Sequence, residues 1–285
     1  MKEFPIPVVP FGPGSHPDAD EANFLPMPHD MQTFSMPVHH LEADPPTLAA
    51  ACELLEKLRS RMCNTPLSGP DAAQIELADV APRVVELLNQ SLGHGEVSIL
   101  LNAPQVVRIQ ETVFAGVWRV QELSPGGALQ RDSICAGAIP PVVQQSAAMA
   151  TDAVEAPPLR EGIMNAPAVL TELLDRSRGY RMGQAAHVVN LSLLPMSPED
   201  LEYLMQALGI GPVTMLSRGY GNCRITSTNL DHVWWVQYFN SMDQLILNTL
   251  EVVDVPEVAQ AAREDYEDSI ERLGEWLAVM KEETV

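Results

Sequence analysis

Few residues of this chain could do chemistry. Gly219-Tyr220-Gly221 is glycine-rich in the way of a ligand-wrapping loop, and Asp231, His232 and Trp234 set a carboxylate, an imidazole and an indole close together. A phosphate-cradling loop needs a strand before it and a helix N-terminus after it, so that backbone N–H groups point at the anion. Here both flanks read as strands, and the glycines are expected to close a hairpin. A histidine on a strand beside tryptophan is expected to be a hydrogen-bonded structural residue. A small-molecule enzyme built on Gly219–Gly221 and His232 would require a deep pocket with convergent polar groups. There is no serine elbow, H-E-x-x-H, Walker loop or catalytic-cysteine context. The seven histidines do not fall at metal-ligand spacings, and His39 and His40 would point to opposite faces of a strand. Cys52, Cys63, Cys135 and Cys223 form no C-x-x-C pair, which removes the zinc-ribbon and thioredoxin patterns. The expectation is four reduced thiols, no catalytic residue, no metal and no cofactor.

The elements that must position these residues are visible because the chain repeats itself. Residues 74–142 align without a gap with residues 190–258, an offset of 116. Identities include Gly93/Gly209, Gly95/Gly211, Arg108/Arg224, Thr112/Thr228, Trp118/Trp234, Gln121/Gln237 and Pro140/Pro256. A period this long exceeds the ~20–50 residues of a solenoid repeat. The expected fold is α+β, with two tandem pseudo-symmetric units, each of helices packed on a mainly antiparallel sheet. Function is then expected at the joint or on a shared face, and the paired tryptophans as matching core anchors.

Within each unit the apolar period marks the elements. Leu48, Cys52, Leu55, Leu58 and Met62 recur at helical spacing, and Pro167–Ser177 is their counterpart. Short strands are expected at Ile75–Leu77 and Leu191–Leu193. A helix follows each, the second opened by Ser197-Pro198-Glu199-Asp200 with its cap, N1 proline and first-turn acids. Gly93 and Gly209 should end these helices. Four strands come next, Val97–Leu101, Val107–Gln110, Val117–Leu123 and Leu129–Ala136 in the first unit, with short turns that imply antiparallel hairpins. Pro140 and Pro256 open the last helices, the second a long one with Tyr266, Ile270, Leu273, Leu277 and Met280 along one face. The expected divisions are a proline-rich extended tail (1–46), a first unit (47–154), a linker (155–163) and a second unit (164–285). The ten prolines of the tail exclude a helix or a central strand. Its Phe4, Phe11, Phe24 and Phe34 are too apolar for an inert linker, and with Tyr220 and His232 they are the candidate partner-binding residues.

A formal charge of −21 argues against a nucleic-acid partner, because that affinity comes from lysine and arginine displacing counterions. It would instead attract basic segments of a partner, or serve solubility alone. No window approaches the ~18 apolar residues of a membrane span, and residues 1–10 lack the features of a signal peptide. A cytoplasmic protein is expected.

Several motifs together resemble a known family: Gly12-Pro13-Gly14-Ser15-His16-Pro17, Gly93 to Ser98, Ile109 to Val120, Gly162-Ile163-Met164-Asn165, and Gly219-Tyr220-Gly221 followed by His232-Val233-Trp234. They look like the HupH/HyaF hydrogenase expression proteins over nearly the whole chain. The resemblance implies an accessory chaperone in [NiFe]-hydrogenase maturation. Its client would be the precursor of the small iron–sulfur subunit, met alongside a thioredoxin-like co-chaperone before twin-arginine export. It carries over no catalytic residues. An iron–sulfur or redox carrier of the same assembly pathway is the alternative. Asp254 departs from relatives in which a cysteine can hold that place, which weakens any idea of iron transfer through it.

Overall fold

The computed structural model describes residues 43–65, 67, 73–148, 154–219 and 222–282. Helix α1 (Pro45–Asn64) starts where the Asp44 carboxylate accepts from the Thr47 N–H at 3.0 Å, with proline in the first turn. Then come β1 (Ala73–Glu76), α2 (Pro82–Leu92), β2 (Val97–Leu101), β3 (Val106–Glu111), β4 (Val117–Leu123), β5 (Leu129–Ala136) and α3 (Pro141–Ala147). The second half supplies α4 (Ala166–Gly179), β6 (His187–Asn190), α5 (Pro198–Leu208), β7 (Val213–Ser217), β8 (Asn222–Ser227), β9 (Val233–Phe239), β10 (Leu245–Val252) and α6 (Arg263–Glu282). Gly93 and Gly209 close α2 and α5 with φ of 56° and 62°, values glycine takes without steric cost.

The ten strands of the described residues join one antiparallel sheet, ordered β1-β5-β4-β3-β2-β7-β8-β9-β10-β6. At its centre Ile99 pairs with Met215, its counterpart at the offset of 116, and Val97 and Leu101 face Ser217 and Val213. The halves are thus joined strand to strand. Antiparallel register puts directly opposed residues on the same face, and two core systems follow. One face packs Trp118, Val120, Ile99, Met215, Ile225 and Trp234 beneath α3 and the short 3-10 turn Glu257–Ala259. Trp118 Nε1 donates to Gly137 O at 2.9 Å and Trp234 Nε1 to Val253 O at 3.1 Å, so each buried indole has its hydrogen bond. The other face carries two separate helix clusters: α1, α2 and α6 over Val117 and Ile134, and α4 and α5 over Trp235 and Leu250.

Asp200, fully buried in the first turn of α5, ties that second cluster together. Its Oδ1 accepts from the backbone N–H of Met164, Asn165 and Ala166 at 2.8, 3.0 and 2.9 Å. Its Oδ2 accepts from Ser197 N–H at 3.2 Å, completing a capping box. One carboxylate therefore caps two helices.

Three expectations are corrected. Leu191–Leu193 is a 3-10 turn and the strand lies earlier, at His187–Asn190, because the Asn190 side chain accepts from Ser192 N–H at 3.0 Å and bends the chain. Pro256 opens only the 3-10 turn Glu257–Ala259. The chain then extends so that Ala261 N–H reaches Ala138 O at 2.9 Å, and α6 begins at Arg263. Finally α6, grouped by sequence with residues 164–285, lies against α1 of the first half, where Tyr266, Leu273, Leu277 and Met280 are buried.

Candidate functional site

His232 sits in the turn between β8 and β9, not on a strand, with φ of 60°. This left-handed backbone costs a residue with a side chain about 1 kcal/mol or more. The matching residue of the first half is Gly116, with φ of 77°. There a Cβ would come to 2.5 Å from Tyr266 Cδ2. The backbone shape is common to both halves, and only the second half adds an imidazole.

Three elements bring partners to that ring. Its Nε2 lies 3.4 Å from Asp231 Oδ2, and its Nδ1 lies 3.9 Å from Asp254 Oδ1, just beyond β10. Tyr180, which ends α4, stacks on it with ring centroids 4.7 Å apart and planes at 46°. The scaffold is tight: Ser177 Oγ donates to Asp231 O at 2.7 Å, Val253 N–H to His232 O at 2.9 Å, and Asp254 N–H to the Tyr180 hydroxyl at 3.1 Å. Burial raises the Tyr180 pKa, against the pull of the Asp254 N–H, and the phenol stays protonated. Asp231 Oδ1 and Asp254 Oδ1 are buried and have no hydrogen-bond partner.

The other sequence candidates do not join it. Phe4, Phe11, Phe24, Phe34 and Tyr220 lie outside the described residues. Gly219 lies in the β7–β8 connection against the Glu96 side chain. It is at the opposite end of β8 from His232, about 17 Å away at ~3.3 Å per strand residue. The turn and the histidine therefore do not converge on one pocket. Cys52, Cys135 and Cys223 are buried, and burial pushes the thiols of Cys135 and Cys223 up to about 12, so they are neutral and inert. Among the described residues no group of three or more His, Cys, Asp or Glu side chains is placed to hold a metal ion.

Two polar features were not singled out by the sequence reading. Glu111, 8% exposed at the end of β3, accepts from Gly116 N–H at 3.3 Å. Burial, with the nearby Glu96 charge, lifts its carboxyl to about 7 against the pull of that N–H. The other is a cleft of about 370 Å³ between the end of α2 and the strands β2, β3 and β4. Arg119 is among its lining residues and donates from Nε and Nη2 to Asp132 at 2.6 and 2.5 Å. The available signal was divergence between the halves. Glu111 matches Ser227, Arg119 matches Trp235, and Asp132 matches Asn248.

Comparison with known proteins adds the family relation. The conserved C-terminal region of the HupH hydrogenase expression proteins matches this chain twice, over residues 48–157 and 163–280. The hydrogenase expression/formation protein HoxQ of Cupriavidus necator is 42% identical over 281 residues, covering 97% of this chain and 98% of its own length. The hydrogenase expression/formation protein HupH of Rhodobacter capsulatus is 41% identical over 284 residues, covering 99% of this chain and all of its own. A solved structure of the hydrogenase expression protein HupH from Thiobacillus denitrificans aligns with a TM-score of 0.38 at 29% identity, covering 40% of this chain and 95% of that one.

Proposed function

We propose, from the premise that this chain belongs to the HupH hydrogenase expression protein family, that it is a non-enzymatic, cytoplasmic accessory chaperone of [NiFe]-hydrogenase maturation. Its client in this reading is the precursor of the small iron–sulfur subunit, held before twin-arginine export, with a thioredoxin-like protein as co-chaperone. The observation that carries the hydrogenase role is relationship along nearly the full length to expression/formation proteins. The choice of client is supported by charge. A chain at −21 attracts a basic leader over a distance set by ionic strength. No helix among the described residues is long and apolar enough to cross a membrane. In the same reading the two halves arose by duplication of one unit, and Phe4, Phe11, Phe24 and Phe34 contact the client.

The test is retention of the small-subunit precursor on immobilised protein, with and without its leader, at low and high salt. Binding should weaken as the Debye length shrinks from roughly 30 Å at 0.01 M to 3 Å at 1 M. Replacing the leader's arginine pair with glutamine should remove much of that dependence. Retention insensitive to salt and to leader charge would overturn the electrostatic part, and no retention of either form would overturn the client.

A further inference from the structure

Between the two helix clusters lies a strip of sheet that belongs to neither. The cluster of α1, α2 and α6 and the cluster of α4 and α5 contain no residue of β2, β3, β7 or β8. On the helix-bearing face of these strands the register sets Gln110, Ser98, Leu216, Arg224 and Gln237 in one row across the joint of the halves. Leu216 is only 4% exposed, yet it has no place in any of the three hydrophobic clusters. Gln237, also 4% exposed, keeps its Oε1 buried and without a hydrogen-bond partner. An amide oxygen shut off from water is destabilising until a donor comes to it. A buried leucine and an unmet acceptor in one row call for a segment that brings apolar side chains and N–H groups together, which is a stretch of polypeptide laid over the strip.

The chain itself supplies such a segment. Residues 24–42 lead into Ala43 and Asp44, and the Asp44 carboxylate lies 3.8 Å from Arg83 in the first turn of α2. From there α2 runs ~16 Å, at ~1.5 Å per residue, to Gly93 beside the strip. The strands β3, β2, β7 and β8 span about 15 Å more at ~4.8 Å per strand. A segment of this length reaches up to ~60 Å, enough for both. Its composition also fits. Phe24, Leu25, Phe34 and Met36 offer apolar side chains to Leu100 and Leu216. The charged residues of the strip, Arg108 and Arg224, are basic, and those of the segment, Asp30 and Glu42, are acidic. Pro26, Pro28 and Pro37 have no N–H to give to a ladder at a sheet edge, but on a sheet face the side chains of the strip do the bonding.

We propose that, in the free protein, residues 24–42 of this chain dock on the strip over β2, β7 and β8, with an N–H of the segment donating to Gln237 Oε1. The inference does not rest on the identity of the client. A client that takes up Phe24 and Phe34 would draw the segment off the strip.

The experiment uses the full chain with a nitroxide attached at position 33 through Thr33→Cys. The exposed native thiol is removed by Cys63→Ser, and Cys52, Cys135 and Cys223 are buried away from the reagent. NMR follows the backbone amide signals of Leu216 and Thr226. Both should be broadened, and both should recover when the nitroxide is reduced. In a chain that also carries Phe24→Ser, Phe34→Ser and Met36→Ser the broadening should fall by roughly threefold or more, because the apolar contact that holds the segment down is gone. A mixed sample, with the nitroxide only on isotopically unlabelled copies, should show none. Unbroadened Leu216 and Thr226 signals would overturn the proposal. So would equal broadening with the two tails, the mark of a segment merely tethered nearby, or broadening in the mixed sample, which would put a second copy on the strip.

Discussion

Replacing Asp200 with alanine should be among the costliest single polar changes in this protein. Four backbone N–H groups lose their acceptor, three at the start of α4 and one at the cap of α5. Hydrogen bonds to a charged group contribute ~1.5–3 kcal/mol each when deleted singly. Bonds that share one carboxylate are not additive, and some of the released groups will find water, so the expected loss is about 3–5 kcal/mol. For a chain of this size that is a fall in melting temperature of roughly 5–8 °C. Asp200→Asn keeps an oxygen for α4 but sets an amide against Ser197 N–H, and about half the loss is expected. The pH profile carries a second signature. Burial alone would raise this carboxyl's pKa, but the N–H groups of Ala166, Met164, Ser197 and Asn165 together hold it below its ordinary value. A depressed native pKa means that the stabilisation is complete above the unfolded value of ~3.9 and is lost as pH falls through the native value. The gap between native protein and Asp200→Asn should therefore be full at pH 7 and close below pH ~4. Circular-dichroism melts from pH 3 to pH 7 measure it. A drop under about 3 °C for Asp200→Ala at pH 7, or a gap constant through the acid range, would refute the double-cap reasoning.

Glu111 has the opposite sign. Its pKa is lifted to about 7 by burial, so its contribution is present below the unfolded value and lost as pH rises toward 7. Glu111→Gln should then be the more stable protein at pH 8, by up to about 3 kcal/mol, and nearly equal to native at pH 4.5. Denaturant melts at the two pH values check this, and equal stability at pH 8 would count against it. His232→Gly relieves the left-handed backbone but loses the ring contact with Tyr180, so the melting temperature should stay within roughly 3 °C or rise. A much larger fall would make the imidazole a structural brace between the carboxylates. Leu273→Ala, at a fully buried position of α6, should cost about 2–5 kcal/mol in urea unfolding, and an unchanged midpoint would mean that α6 does not close the first half's core.

What was legible in the sequence was whatever repeats locally. Alternation and turn residues placed β4 and β5 at their observed ends, and the two glycine caps fell where φ is positive. Placements decided over long distances were not legible. Helical spacing shows that α6 has an apolar face, yet nothing in that spacing says the face belongs to α1. The same holds for Asp200, which as a sequence letter is the N3 acid of a capping box; its three bonds to residues 164–166 exist only once α4 is docked. Identity between the halves drew attention to Trp118 and Trp234, which prove to be core. The polar sites came from positions where the halves differ, Arg119 against Trp235 and Gly116 against His232, because there the fold's own demands had already been met another way.

The return of α6 to α1 has a consequence for how the protein comes into being. On the ribosome the first half emerges early, with its sheet strands and α1 in hand, but the helix that covers α1 is encoded by residues 263–282. Domains usually fold as units in the order of synthesis. Here that order is blocked: α2 and β1 cover part of the apolar face of α1, but the rest waits for residues 263–282. A chain that stops short of residues 263–282 thus displays an unfinished core, and the native packing of α1 reports that α6 has been made.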